Sequence, residues 1–165
     1  MSQIDTILNR KSIRRYQNKD IPEDILGKIL EAGRCAPSAA NRQPIRFIVL
    51  KDSETKKKLS NGIFNRFIKN VPIVIVGCAN VKDLLTGKWA LIDATIAMQN
   101  MVIGAWILGV GSCWIGDFDE EKVKQLLNIP QSWKVVSLLT FGYPDENPKQ
   151  RRKKPVEKLF GFNSF

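Results

Sequence analysis

The segment "GKWALIDATIAMQNMVIGAWILGVG", residues 87–111, limits the possible folds more than any other part of the chain. It reads as one long helix that is apolar almost all the way round, a pattern that suits a helix enclosed by protein. A chain of 165 residues can build one such core and has little left for a second, so residues 1–165 are read as a single domain. Asp93, Gln99 and Asn100 interrupt the run, and its longest apolar part, about Met101 to Val110, falls well short of the roughly 18 residues that span a bilayer. Gly109 and Gly111 end the helix.

The rest of the pattern supplies the covering elements. Ser2 and Asp5 resemble a capping pair, and Ile4, Ile7 and Leu8 share one helical face, which predicts a short helix ending near Asn9. Pro22 with Glu23 and Asp24, then Ile25, Leu26, Ile29, Leu30 and Gly33 at three-and-four spacing, predicts a second helix to about Cys35. "RFIVLK" (46–51) and "VPIVIVGCA" (71–79) read as central strands covered on both faces, "WKVVSLLTFGY" (133–143) as a third strand, and "SCWI" (112–115) as a short extended piece. A polar helix starts near Ser53, its "KKK" at 56–58 read as a solvated face. "DFDEEKVKQLLNI" (117–129) is a helix capped by Asp117 or Asp119, with Val123, Leu126 and Leu127 inward. No internal repeat or low-complexity linker divides the chain.

Charge narrows the partners. The net charge is +10 without a single histidine. Two compact cationic clusters stand out: Arg10, Lys11 and Arg14 near the start, and Arg151, Arg152, Lys153 and Lys154 near the end. Either could be a solvated loop. Guanidinium, ammonium and the Ser12 hydroxyl together also suit a terminal phosphate, and alternation puts Arg151 and Lys153 on one face of an extended segment. A nucleic-acid-binding domain would favour a continuous basic stripe with exposed aromatics, whereas the Trp and Phe positions here mostly fall in apolar runs. The N-terminal stretch lacks the order of a secretory signal, and Cys35, Cys78 and Cys113 are odd in number and scattered, so a cytoplasmic chain with free thiols is expected. Without histidine no plausible zinc set exists.

The corner "APSAANRQPIRF", residues 36–47, is costlier than a turn requires. Pro37 and Pro44 restrict the backbone, Ala36, Ser38, Ala39 and Ala40 admit a flat object, and the amides of Asn41 and Gln43 can donate and accept at once, as the edge of a heterocycle demands. A plain helix terminator with an Asx turn explains Pro37 and Asn41 but not the small residues. In "GVGSCWIG" (109–116) the glycines follow a helix and precede a strand, the reverse of a dinucleotide fingerprint; the segment instead offers backbone N–H groups to a planar ligand.

In order along the chain, "RKSIRRY", "APSAANRQPIRFIVL", "DATIAMQNMVIGAWILGVGSCWIGDF", "LLTFGYP" and "RRKKPVEKL" resemble the nitroreductase family of FMN-dependent oxidoreductases, over nearly the whole length. The resemblance implies an α+β nitroreductase-like fold, a central mixed β-sheet flanked by helices, in an intertwined homodimer. It implies an NAD(P)H-dependent FMN oxidoreductase that passes electrons through flavin N5 to a small organic acceptor such as a nitroaromatic or quinone in ping-pong fashion, with NADH or NADPH as donor and with neither nucleic acid nor membrane as partner. Arg10, Lys11, Ser12 and Arg14 match the group that binds the ribityl phosphate and the polar edge of the flavin, and Arg151 and Lys153 the pair that completes the phosphate site. Pro37, Ser38, Ala39 and Asn41 match residues that reach the partner subunit's flavin, and Trp114, Ile115, Gly116 and Asp117 the stretch against the ring, where a backbone amide near Gly116 meets N5. No side chain is assigned as catalytic. Gly116–Asp117 departs from the Glu–Gly or Gly–Gly pair common there, Ile45 stands where tryptophan is frequent, and the stretch from Ala79 to Ala94 is short for the helices that wall the pocket in longer members. Two competing readings are a basic nucleic-acid-binding domain, colourless and salt-sensitive, and a flavin-binding protein without turnover.

Overall fold

The computed structural model describes residues 3–60 and 62–165, the side chain of Gln3 excepted; the expected Ser2 cap lies outside them. Its helices are α1 (Gln3–Asn9), α2 (Glu23–Arg34), α3 (Ser53–Leu59), α4 (Ala90–Ile107) and α5 (Glu120–Leu127). Its strands are β1 (Ile45–Leu50), β2 (Ile73–Asn80), β3 (Gly111–Ile115) and β4 (Trp133–Gly142), in the spatial order β1-β2-β4-β3. All three pairings are antiparallel, and the parallel element expected of a mixed sheet is confined to an isolated bridge between Ser12 and Ser112.

Strand alternation builds a core on each face of this sheet. Ile73 and Ile75 of β2, with Leu139 and Phe141 of β4, meet Met98, Met101 and Val102 of α4, behind which lie Leu26 and Ile29 of α2. Val74 and Val76, with Leu138, turn the other way toward Leu59 of α3, Ile68 and Val123 of α5. The central pair is therefore β2 and β4. β1 is an edge strand, only partly covered, because nothing among the described residues pairs with its outer side.

Three further expectations change. Lys56 of "KKK" is not solvated: it is 6% exposed, and its ammonium donates to the carbonyls of Val71 (2.8 Å) and Pro72 (3.0 Å), two partners far off in sequence. The helical stretch Gly87–Ile107 is, by length and composition, long and apolar enough to cross a membrane after all; in this fold one side of it packs on α2 and the sheet. The opposite side is not enclosed, since Leu91, Ile92 and Ile107 face outward in the single chain. At the α5 start Asp119 is the cap, accepting from the Lys122 amide, which releases Asp117 for another contact.

Candidate functional site

The cationic segment after α1 is fixed by backbone bonds before its charges come into play. The Ile13 amide donates to the Ser112 carbonyl at 2.9 Å, which lays residues 10–14 alongside β3, and the Ile13 side chain is 1% exposed. Tyr16 donates to the Ile13 carbonyl at 2.5 Å and pairs with the Thr140 hydroxyl at 2.7 Å; burial pushes its phenol above the usual range, so it is a neutral strut. The segment is then stitched to the far end of the chain. Glu146 accepts from the amides of Arg14 (2.6 Å) and Arg15 (3.1 Å), Lys11 donates to Asn147 at 2.8 Å, and Gln150 donates to the Leu8 carbonyl.

That stitching brings the two sequence clusters together around one hollow of about 330 Å³, lined by Arg10, Lys11, Ser12 and Arg14 from one end and Arg151 and Lys153 from the other. Lys149 joins them, a cation that spacing did not single out, and no carboxylate lines the hollow among the described residues. Like charges gathered this closely repel each other unless an anion lies between them, and guanidinium, ammonium and hydroxyl donors are the set that a phosphate monoester accepts from. The donor chemistry fits the phosphate of FMN.

The corner after α2 is built with strain. Ala40, Asn41 and Gln43 all have positive φ, between 50° and 53°, a region L-residues occupy only when their surroundings hold them there. The surroundings are visible. Ala39 donates its amide to Asp93 of α4 at 3.1 Å, Gln43 donates its amide to the Ser38 hydroxyl at 3.1 Å, and Arg42 reaches Asp83 at 3.1 Å. The Gln43 side chain donates to Asn41 Oδ1 at 3.1 Å, so part of the amide equipment expected to face a heterocycle is used internally. Pro37, Ser38 and Ala39 line a shallow hollow of about 180 Å³ with Trp89, Asp93 and Ile96, separate from the cationic one. Asp93 was not singled out as a site residue; its signal was a lone acid in an apolar helix. It is 3% exposed, and its Oδ2 has no hydrogen-bond partner among the described residues.

The third segment continues β3. Trp114 is half-buried and Ile115 buried, whereas Gly116 is exposed and a side chain built there would meet no heavy atom within 4 Å, so the space beside its Cα is open. The Asp117 carboxylate accepts from the Phe64 amide at 2.7 Å. Of the anticipated residues, the structure gathers the six of the cationic hollow, leaves Pro37, Ser38 and Ala39 in another, and keeps Asn41 and the 114–117 turn outside both.

The chain matches the model of the nitroreductase family over residues 7–73 and 65–143. It is 34% identical over 157 residues to a Methanothermobacter thermautotrophicus protein with the provisional name NADH dehydrogenase/NAD(P)H nitroreductase, covering 92% of this chain and 82% of that one. A structure of an FMN-dependent nitroreductase from Clostridium difficile R20291 superposes with a TM-score of 0.87 at 30% identity, covering 98% of this chain and 99% of the other. A nitroreductase family protein from Clostridium novyi NT superposes at 0.81 with 36% identity, over 92% and 89% of the two chains.

Proposed function

The chain belongs to the nitroreductase family, and from that premise we propose that it is a soluble, cytoplasmic, FMN-dependent NAD(P)H oxidoreductase that reduces a small organic acceptor such as a quinone or nitroaromatic and works as a homodimer. The observation that carries the proposal is the hollow that unites Arg10, Lys11, Ser12 and Arg14 with Arg151 and Lys153. When bound, FMN would supply the chemistry, accepting hydride from NAD(P)H and handing the electrons to the acceptor after the nicotinamide has left.

The protein contributes binding, orientation and charge. The six hollow-lining residues hold the phosphate, brought together by the ties of residues 11–15 to Asp145, Glu146 and Asn147. Arg14 lines the hollow next to Ile13, the residue bonded to β3, and its charge would favour added electron density at the polar edge of the ring. Lys11, also matched to the polar edge by the family resemblance, is partly committed to Asn147, which favours Arg14 for that role. The open space beside the Gly116 Cα leaves room for the ring, to which a backbone amide of this turn would donate. With no histidine in the chain, the usual general acid is missing, and the proton for the acceptor comes from water.

Two features support assembly from two copies. Pro37, Ser38 and Ala39 do not share the cationic hollow of their own chain, which suits a corner that serves the partner's flavin together with Asn41. Leu91, Ile92 and Ile107 of α4, and Val156, Leu159, Phe160 and Phe162 of the tail, are exposed in the single chain, an apolar surface that a second copy would cover.

Anaerobic titration of the purified protein with NADH and with NADPH, followed by addition of a quinone, tests the reading. The expected result is a yellow protein that bleaches with the nicotinamide and recovers with the acceptor. A colourless protein that takes up no FMN would end this reading, and a yellow one that bleaches but never recovers would make it a flavin carrier.

A further inference from the structure

A second cleft, of about 690 Å³, is larger than the cationic hollow and shares no residue with it. It lies between the segment 16–21, Lys51 just past β1, and residues 69–73 at the entry to β2. Its buried lining is Ile21, Val71, Ile73 and, alone among them in carrying charge, Lys56. An ammonium has three N–H groups to place. Two go to the carbonyls of Val71 and Pro72, at 2.8 and 3.0 Å, and both of those residues border the cleft. The third has no acceptor among the described residues, nor does any carboxylate there form an ion pair with Lys56. Burial draws this ammonium below the usual lysine range, and Asp52 and Asp20, acting at longer range, do not restore it.

The rim adds charge of the same sign. Lys19, Lys51 and Lys69 join Lys56 on the lining, against Asp20 and Glu23, and Glu23 is already paired with Lys51. The Lys19 ammonium stands 4.5 Å from the centre of the Tyr143 ring, a contact that holds it without neutralising it. Lysines on a rim are ordinary surface; a buried ammonium with an N–H to spare and a surplus of positive charge around it is not, because a buried charge without a counter-ion is costly. We propose that this cleft is a second anion site, which takes a small multivalent oxyanion, phosphate in its simplest form. Lys56 donates its third N–H from the buried side, and Lys19 and Lys69 supply charge from the rim. The site stands on the lysines and carbonyls of the cleft and does not depend on the flavin reading.

The test is an NMR titration of the FMN-saturated protein, its cationic hollow already filled, with inorganic phosphate, with glycerol 3-phosphate and, at equal ionic strength, with chloride. Saturable shifts at the amides of residues 17–20 and 69–71 are expected with both phosphates and not with chloride. Lys56→Met and Lys69→Glu are each expected to raise the Kd for phosphate about ten-fold, as for the loss of one charge-assisted hydrogen bond or the reversal of one charge. If Lys56→Met does not fold, because the Val71 and Pro72 carbonyls lose their donor, Lys69→Glu on the exposed rim carries the test alone. Tighter binding of glycerol 3-phosphate would extend the site to a phosphate ester, and tighter binding of phosphate would assign it to the free ion; the oxyanion site stands in both cases. Shifts confined to residues 10–14 and 149–153, an equal response to chloride, or a wild-type Kd in Lys69→Glu would overturn the proposal. The two anion sites report through different amides, so a protein that takes up no FMN still answers the question, and failure of the flavin reading is distinguishable from failure of this one.

Discussion

The Ile13 amide and the Ser112 carbonyl, 2.9 Å apart, join the cationic segment to the strand that leads to Gly116. The approach is close because residue 111 has no side chain: a Cβ there would stand 2.7 Å from Ile13 Cγ1 and 3.0 Å from Pro144 Cγ. Gly111→Ala should therefore push Ile13 out of its buried seat, at an overpacking cost of about 1–3 kcal/mol. A lower urea midpoint at unchanged slope, together with weaker FMN binding, is the expected result. If the midpoint moves but FMN affinity does not, the segment is not what positions the phosphate donors.

Within the hollow the cations are not equivalent. Arg10→Ala removes a charge-assisted donor and should weaken FMN binding by about 1.5–3 kcal/mol, roughly ten- to a hundred-fold in Kd. Lys11→Ala should cost less, because the Lys11 ammonium already shares its donors with Asn147 at 2.8 Å. Flavin fluorescence titration of the two variants gives the order directly, and the reverse order would place Arg10 outside the phosphate contacts.

The fold was legible where a local pattern carries a local consequence. Pro22 before Glu23, the three-and-four spacing of α2 and the apolar run of α4 each state their element without help from distant residues. The cationic hollow was half legible: two clusters could be seen in the sequence, but only folding places them within one cavity. What stayed hidden depends on partners remote in the chain. Lys56 looks like the first of a solvated triplet until the carbonyls of Val71 and Pro72 reach its ammonium. Asp117 looks like a helix cap until Asp119 takes that place and the Phe64 amide reaches the Asp117 carboxylate. β1 and β2 read alike, and only the strand order makes one an edge and the other central.

The corner has a pH-sensitive anchor in Asp83. Its carboxylate accepts from the Thr86 amide at 2.8 Å and the Thr86 hydroxyl at 2.9 Å, and from Arg42 of the corner at 3.1 Å. The Thr86 amide first, and then the Arg42 guanidinium, hold its carboxyl down at about 2, against an ordinary value of 3.8. Because the folded value lies below the unfolded one, the stability from this group is fully present above 3.8 and is lost as pH falls toward 2. Asp83→Asn should lower Tm near neutral pH, and the gap to wild type should close across that acid window. A gap that stays constant with pH would mean that the charge of Asp83 is not what ties the corner down.

The outward face of α4 sets the last prediction. Leu91, Ile92 and Ile107 are 42%, 49% and 66% exposed on a helix whose other side is packed into the core. Full burial of an aliphatic side chain of this size stabilises by about 1.5–3 kcal/mol, so covering several on each copy favours association, and a carboxylate placed among them opposes it because it would be desolvated without a partner. Wild type is expected to sediment at twice the mass of one chain, and Ile92→Asp at the mass of one chain. If the corner of residues 37–41 serves the partner's flavin, Ile92→Asp should also bind FMN more weakly, although every residue of the cationic hollow is intact. An Ile92→Asp monomer that held FMN as tightly as wild type would show that each chain completes its own site.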